Sequence, residues 1–133
     1  MRFQADCRVL GALLFIIAGI AQAQYPVKPI RYIIPLPPGG LVDVVARTIT
    51  NPVAERLGQQ FIYDYKPGAN TILATDNCAK GSNDGYTACF ITSNLTVNPF
   101  MYSKLPYDYL KDIDPVANLV YPYEVLVMNP SVP

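Results

Sequence analysis

The chain has 133 residues, with ten Lys and Arg, ten Asp and Glu, three Cys, thirteen Pro and no His or Trp. Charged residues make up 15% of it, whereas a typical soluble domain has about 25%. A balanced charge argues against a nucleic-acid-binding protein, and the lack of His removes the commonest general base and transition-metal ligand. Three Cys are too few for a disulfide scaffold, and the length limits the chain to one domain.

The amino-terminal residues have the pattern of a secretory signal. Basic residues precede an apolar run over residues 9–21, and Ala21-Gln22-Ala23 places small residues where a signal peptidase reads them. The apolar run would span roughly 20 Å as a helix, which is too short for a hydrocarbon core of about 30 Å. We therefore expect residues 1–23 to be a cleaved signal peptide and residues 24–133 to be exported.

The first half of the exported part predicts a strand followed by a helix. Residues 30–34 form a short apolar, β-branched run, which is typical of a buried strand. Apolar residues then recur at spacings of three and four over residues 42–57, which predicts an amphipathic helix. Pro52 inside this pattern predicts a kink near residues 48–51, and Gly58 predicts the helix end.

The alternation of strands and helices continues downstream. Residues 61–65 predict a second strand, residues 71–80 a shorter helix and residues 86–91 a third strand. Strand, helix, strand, helix, strand implies right-handed crossovers and a parallel sheet flanked by helices. Beyond this point the chain is irregular and rich in proline, with two further apolar runs at residues 116–120 and 125–128.

Three predicted loops could together form a binding site. Ligands of an open parallel sheet bind beyond the carboxyl ends of its strands, and the loops at residues 36–41, 66–71 and 92–96 leave those ends. Gly39-Gly40 and Gly68 precede predicted helices, where unpaired N–H groups attract anions. The third loop supplies neutral hydroxyl and amide donors. We expect a site that binds a carboxylate or a phosphate.

Each of these features also has an ordinary structural explanation. The sequence Pro-Pro-Gly-Gly often forms only a tight turn, and Asn70 or Thr71 can serve as a helix cap. Asp43 is favoured in a first helical turn by the helix dipole alone. Cys78 and Cys89 can form a bridge in an oxidising compartment or pack as small hydrophobic side chains, and both possibilities stay open.

Signatures of catalysis are absent from the sequence. The chain contains no nucleotide-binding glycine motif, no G-x-S-x-G, no H-E-x-x-H and no C-x-x-C. Its serines have no His to activate them, which argues against an exported hydrolase. We expect a protein that binds without turnover, with no catalytic residues, no metal and no cofactor.

Short sequence blocks, in a fixed order, connect the chain to one family. They are YPVKPIR at 25–31, PLPPGGLVD at 35–43, LGQ at 57–59, KPGA at 66–69, DGYT at 84–87, NP at 98–99, LPYD at 105–108 and VMNP at 127–130. With these blocks the chain resembles the substrate-binding proteins of tripartite tricarboxylate transporters, the Bug-type receptors.

The resemblance implies a bacterial periplasmic receptor of the type II periplasmic binding protein kind. Such a receptor has two α/β lobes, each with a mostly parallel sheet flanked by helices, that close on a small carboxylate and serve the membrane components of the transporter. Nucleic acid is not among the implied partners. The implied ligand contacts are Gly39, Gly40 and Asp43 in the first loop, Gly68, Ala69, Asn70 and Thr71 in the second, and Ser93, Asn94 and Thr96 in the third.

The chain departs from the family pattern in two ways. The family usually continues its second loop as Gly-Ala-Gly-Gly, whereas Asn70 and Thr71 place side chains where backbone would approach the ligand. Family members are also much longer, so the resemblance implies that residues 24–133 are part of the first lobe, truncated before the second. Two expectations follow: a receptor fragment that binds a small carboxylate, or a truncated gene product of the family that binds no ligand.

Overall fold

The computed structural model of the chain describes residues 25–123, 125 and 127–131. The expected signal peptide, residues 1–23, lies outside these ranges. Within them, no helix has both the length and the apolar character needed to cross a bilayer.

A parallel sheet of three strands forms the centre of the fold. Strand β1 (Ile30–Ile34) lies between β2 (Phe61–Tyr65) and β3 (Thr87–Cys89) and runs parallel to both. The predicted parallel α/β architecture is confirmed, and β1 and β2 have the predicted bounds. The third strand is shorter than the predicted residues 86–91.

Helix α1 (Leu41–Leu57) covers one face of the sheet. Side chains alternate between the two faces of a strand, and Tyr32 and Ile34 of β1 point to the face on which Ala46 of α1 packs. Phe90, just beyond β3, completes this buried cluster. Burying an apolar side chain of this size contributes about 1.5–3 kcal/mol, so this cluster is the main source of stability on that face.

The proline within α1 does not interrupt the helix. The helix is continuous from Leu41 to Leu57 across Pro52 and ends at Gly58, which has the left-handed conformation (φ 65°) expected of a helix stop. The predicted helix end is confirmed, and the kink near residues 48–51 stays a prediction. Thr50 adds a side-chain bond within the helix, since its hydroxyl donates to the Ala46 carbonyl at 2.8 Å.

Helix α2 (Ile72–Ala79) covers the opposite face, where a disulfide ties it to the sheet. Ile33 of β1 is fully buried and lies in register with Cys89 of β3, so both point to this face. Cys89 is bonded to Cys78 of α2, with the two Cα atoms 6.2 Å apart. Of the two possibilities left open by the sequence, the structure has the bridge.

A third helix, α3 (Asn94–Met101), occupies residues that were expected to be a loop. The expectation placed residues 92–96 in a loop and an irregular segment after them, because Pro99 lacks the N–H that a helix interior requires. Pro99 nevertheless lies inside the helix. Asn94 and Thr96 therefore belong to the first turn of α3 rather than to a loop.

The connection before α2 makes a left-handed turn from residues with side chains. Ala69, Asn70 and Thr71 have φ values of 47°, 50° and 68°, and α2 begins at Ile72 rather than at the predicted Thr71. Asn tolerates this region, but a β-branched residue such as Thr rarely adopts it. Each non-glycine residue held there costs about 1–2 kcal/mol, so the turn stores strain beside the end of β2.

The amino-terminal segment is fastened to the turn that precedes β3. The Tyr25 hydroxyl donates to the Gly85 carbonyl, and the Val27 N–H donates to the Tyr86 hydroxyl at 2.9 Å. The Lys28 ammonium lies 4.3 Å from the centre of the Tyr86 ring and 3.4 Å from the Asp84 carboxylate. These contacts hold residues 25–28 along the start of the third strand.

Replacing Ala69 by Gly should stabilise the protein. Ala69 is exposed and has φ 47°, so the substitution removes strain without removing buried surface. Relief of the strain is favourable, whereas the larger loss of backbone entropy of Gly on folding is unfavourable. We expect a net gain in the free energy of unfolding of about 0.5–1 kcal/mol. Urea denaturation measures the difference. The matched control is Ala117→Gly, at an exposed position of ordinary φ, which should lower stability slightly. A loss of stability in Ala69→Gly would contradict the left-handed turn.

Loss of the disulfide should lower the free energy of unfolding by about 3 kcal/mol, because the bridge closes a short loop in the unfolded chain. The sequence separation of Cys78 and Cys89 is 11 residues. Denaturation measures the free energy of unfolding. The double variant Cys78→Ser/Cys89→Ser should have the same free energy of unfolding as the reduced wild type, and reductant should not change the value for the variant. Alkylation of both thiols in the unreduced native protein would show that no bridge forms.

Candidate functional site

The three loops expected to bind a ligand leave the same edge of the sheet. Ile34 lies in register with Tyr65, and Ile33 with Cys89, so the carboxyl ends of the strands are neighbours. Two further backbone hydrogen bonds extend this pairing beyond the strands. The Lys66 N–H donates to the Ile34 carbonyl at 2.8 Å, and the Phe90 N–H donates to the Ile33 carbonyl at 2.9 Å. The parallel ladder therefore brings the starts of all three loops together.

The first loop is braced by the carboxylate of Asp43. Asp43 is only 6% exposed, and its Oδ2 accepts the Gly39 N–H at 2.9 Å. Its Oδ1 accepts the Tyr65 hydroxyl at 2.6 Å and Arg47 Nε at 2.9 Å. One side chain in the first turn of α1 thus joins the first loop to the end of β2. The sequence expectation made Asp43 a ligand contact, and these bonds give it a bracing role.

The hydrogen bonds to Asp43 keep it ionised. The Tyr65 hydroxyl, then the Gly39 N–H, lower the pKa of Asp43, and Arg47 lowers it further against the opposing effect of burial. Arg47 also donates from Nη2 to the Tyr65 hydroxyl at 2.7 Å. The negative charge beside the first loop is therefore matched by a guanidinium, and the Gly39 N–H is committed to Asp43.

The second loop is joined to α3 by a cluster of three asparagines. Asn70 Nδ2 donates to Asn98 Oδ1 at 2.7 Å, and Asn94 Nδ2 donates to Asn70 Oδ1. Asn98 Nδ2 donates back to the Asn70 carbonyl at 3.0 Å, and the Asn98 side chain is fully buried. The cluster holds Asn70 in its left-handed conformation. Asn98 was not among the expected site residues, although it lies in one of the matching sequence blocks.

The other expected site residues differ in their contacts and in their exposure to solvent. Gly40 accepts the Val44 N–H through its carbonyl at 3.1 Å, as the residue that caps α1. Gly68 has φ 128°, and Thr71 is buried. Ser93 is exposed, and its carbonyl accepts the Thr96 hydroxyl at 2.9 Å.

Two cations, one within β1 and one just after β2, are paired with the carboxylate of Asp64. Arg31 Nε donates to Asp64 Oδ2 at 3.0 Å, and Lys66 Nζ lies 3.3 Å from Asp64 Oδ1. Burial raises the pKa of Asp64, but the hydrogen bonds and charges of Arg31 and Lys66 together outweigh burial, and the pKa lies below its usual value. Arg31 belongs to β1, the central strand of the sheet. Its pairing favours anion binding by the neutral donors of the loops rather than by a cationic clamp.

Two grooves lie away from the three loops. One, of about 500 Å³, is lined by residues 25–27 and 56–59, before the start of β2. The other, of about 370 Å³, is lined by residues of α1 and β2. Neither includes a residue of the expected site. Among the described residues, no group of three His, Cys, Asp or Glu is placed to hold a metal ion.

Replacing Asp43 by Asn should destabilise the protein at neutral pH, because Arg47 and Tyr65 would lose their charged partner. A carboxylate with a lowered pKa stabilises the fold above its unfolded pKa of about 3.9 and loses that contribution as the pH falls through its folded value. The difference in the free energy of unfolding between wild type and variant should therefore become smaller below pH about 4. Denaturation at several pH values measures it.

The matched control for this measurement is Asp114→Asn, at an exposed carboxylate in the carboxyl-terminal segment. The control should unfold like the wild type at neutral pH. Equal stability of Asp43→Asn and wild type at neutral pH would contradict the bracing role.

Comparison with known proteins identifies a family. The model of the family described as "Tripartite tricarboxylate transporter family receptor" matches residues 45–133. The protein BugT of Bordetella pertussis is 36% identical over 132 residues, which cover 98% of this chain and 40% of BugT. This chain spans between 28% and 40% of the length of the curated relatives that it matches.

Solved structures of similar fold come from the same group of proteins. MatC from Rhodopseudomonas palustris, solved with bound malate, is 33% identical and superposes with a TM-score of 0.66, covering 71% of this chain and 33% of MatC. Rpa4515 of R. palustris, solved with adipate, is 30% identical with a TM-score of 0.61, covering 65% of this chain and 29% of Rpa4515.

The matches agree with the expected fold and with the expectation of a receptor rather than an enzyme, since the matched family is one of transporter receptors. The family model covers about two thirds of the chain, and BugT is 36% identical over nearly all of it. The chain therefore belongs to the receptor family of the tripartite tricarboxylate transporters.

Proposed function

We propose that this chain is part of the first lobe of a periplasmic receptor that binds a small carboxylate for a tripartite tricarboxylate transporter. The observation that carries the proposal is the set of neutral donor loops at one sheet edge, beside cations that are already paired. MatC was solved with malate and Rpa4515 with adipate, which are both carboxylates.

The first and second loops supply backbone donors in this proposal. The Gly39 N–H is bonded to Asp43, so Gly40 and the first turn of α1 supply the donors of the first loop. The second loop contributes Gly68 and the left-handed turn at residues 69–71. Backbone N–H groups at a helix start bind a carboxylate without a cationic side chain, because the helix dipole adds a partial positive charge.

The remaining parts of the proposal concern processing and location. We assign residues 1–23 to a cleaved signal peptide and residues 24–133 to the first lobe, which places the mature protein in the periplasm. The apolar run of the amino terminus and its small residues at 21 and 23 support the signal. The membrane components of the transporter are the proposed protein partners.

Calorimetric titration of the purified protein with malate and adipate tests the proposal. We expect binding of at least one dicarboxylate and none of its uncharged diamide, because the helix-start donors favour a negative charge. MatC titrated with malate provides the positive control. The absence of heat with every carboxylate, while MatC binds, would contradict the proposal.

The same titration at raised NaCl separates neutral donors from a cationic clamp. Salt screens the interaction of exposed charges over about 10 Å at 0.1 M, whereas short hydrogen bonds from backbone dipoles are less affected. We expect the Kd to change by less than about threefold between roughly 0.05 and 0.5 M NaCl, on that basis. A change of more than tenfold would indicate that unpaired cations hold the ligand.

A further inference from the structure

Asn98 is a polar residue of helix α3 whose side chain is fully buried. Within the described residues, both of its side-chain hydrogen bonds are to Asn70 of the second loop. Its Oδ1 accepts the Asn70 amide at 2.7 Å, and its Nδ2 donates to the Asn70 carbonyl at 3.0 Å. Burial of an amide is unfavourable unless its hydrogen bonds are made. The Asn98 amide therefore depends on one residue of the loop.

Asn70, in contrast, is exposed to solvent. Its amide and carbonyl would bond to water if Asn98 did not hold them, so the loop does not need Asn98 in order to satisfy its polar groups. An apolar side chain on the buried side of α3 would avoid the cost of burying an amide. The paired bonds are therefore explained by the conformation in which they hold the loop, rather than by the packing of α3.

That conformation is one that the loop would rarely adopt alone. Asn70 has φ 50° and lies between two further residues of positive φ. Residues other than glycine occupy this region in only a few per cent of cases, although Asn is several-fold enriched there. The bond from Asn98 to the Asn70 carbonyl fixes the backbone itself, whereas Asn94 bonds to the Asn70 side chain. Without Asn98, Asn70 would leave the left-handed region most of the time.

We propose that Asn98 is a positioning residue for ligand binding, which holds the second loop in its binding conformation before the solute arrives. The inference rests on the proposed function, in which this loop supplies backbone donors. It gives the fully buried Asn98 no contact with the ligand. It also commits the Asn70 side chain to its bonds with Asn98 and Asn94, so that the loop contributes backbone to the ligand.

Truncation of Asn98 should weaken binding by lowering the fraction of molecules whose second loop has the binding conformation. The apparent Kd equals the intrinsic Kd divided by that fraction. Because an unrestrained Asn occupies the left-handed region in roughly a tenth of cases or fewer, Asn98→Ala should raise the Kd about tenfold or more. Calorimetric titration with malate or adipate, whichever the wild type binds, measures the Kd at a temperature well below the thermal midpoint of each variant.

The matched control is Thr50→Ala, which also truncates a buried polar side chain but lies in α1, away from the three loops. The Thr50 hydroxyl bonds to the Ala46 carbonyl and to the Tyr63 hydroxyl. Both variants should have a lowered thermal midpoint, and only Asn98→Ala should have a raised Kd. An equal rise of the Kd in both variants would show that general destabilisation weakens binding, and would overturn the positioning role.

Two substitutions of the exposed Asn70 test the same role without changing the core. Neither Gly nor Ala can form the side-chain bonds of Asn70, but Gly adopts positive φ about as readily as negative φ, whereas Ala disfavours it. Asn70→Gly should keep the Kd within about threefold of the wild-type value, and Asn70→Ala should raise it about tenfold. Adding Asn70→Gly to Asn98→Ala should lower the Kd below that of Asn98→Ala alone.

The Asn70 pair decides the question even where Asn98→Ala does not fold. Equal Kd values for Asn70→Gly and Asn70→Ala would overturn the positioning role and leave the proposed function intact. The same holds for a wild-type Kd in Asn98→Ala, or for a Kd of Asn98→Ala that Asn70→Gly does not improve. A wild-type protein that binds no carboxylate, while MatC binds malate, would overturn the proposed function and the role of Asn98 with it.

Discussion

The parallel pairing of β1 with both of its neighbours is the constraint on which the rest of the structure depends. Five residues of β1 lie in register with β2, and three of them with β3. Alternation along β1 sends Tyr32 and Ile34 to α1 and Ile33 to the face covered by α2. The same pairing places three strand ends, and so three loops, at one edge. A shift of β1 by one residue would exchange its two faces, so its apolar side chains would no longer meet the helices that cover them.

Two polar networks hold the loops that this ladder brings together. Asp43 joins the first loop to β2, and the asparagine cluster joins the second loop to α3. In each network, side chains bond to one another and to a backbone group of the loop that they hold. Their effect on a ligand is indirect, because they determine which donors remain for it. The proposed site therefore offers a ligand neutral donors, while Asp43 and Asp64 are already paired with cations.

The fold could be predicted further from the sequence than the site could. Hydrophobic periodicity predicted β1, β2 and α1, since burial on one or two faces leaves a pattern in the residue order. The same reasoning missed α3, because Pro99 opposes a helix locally while packing of the folded chain overrides that preference. The left-handed turn left no local signal in Ala69 or Thr71, since both residues disfavour it. The sequence did not show which residues bond to the expected site residues. Tyr65 and Asp43, for example, come into contact only when the connection from β1 through α1 to β2 has folded.

The amino-terminal fastening has a consequence for the order of folding. Tyr25 and its acceptor Gly85 are 60 residues apart, whereas each backbone bond of a helix joins residues four apart. The entropy cost of closing a loop rises with its length, and a helix forms within about a microsecond. Helical structure in α1 can therefore form before residues 25–28 are fixed against the turn that precedes β3.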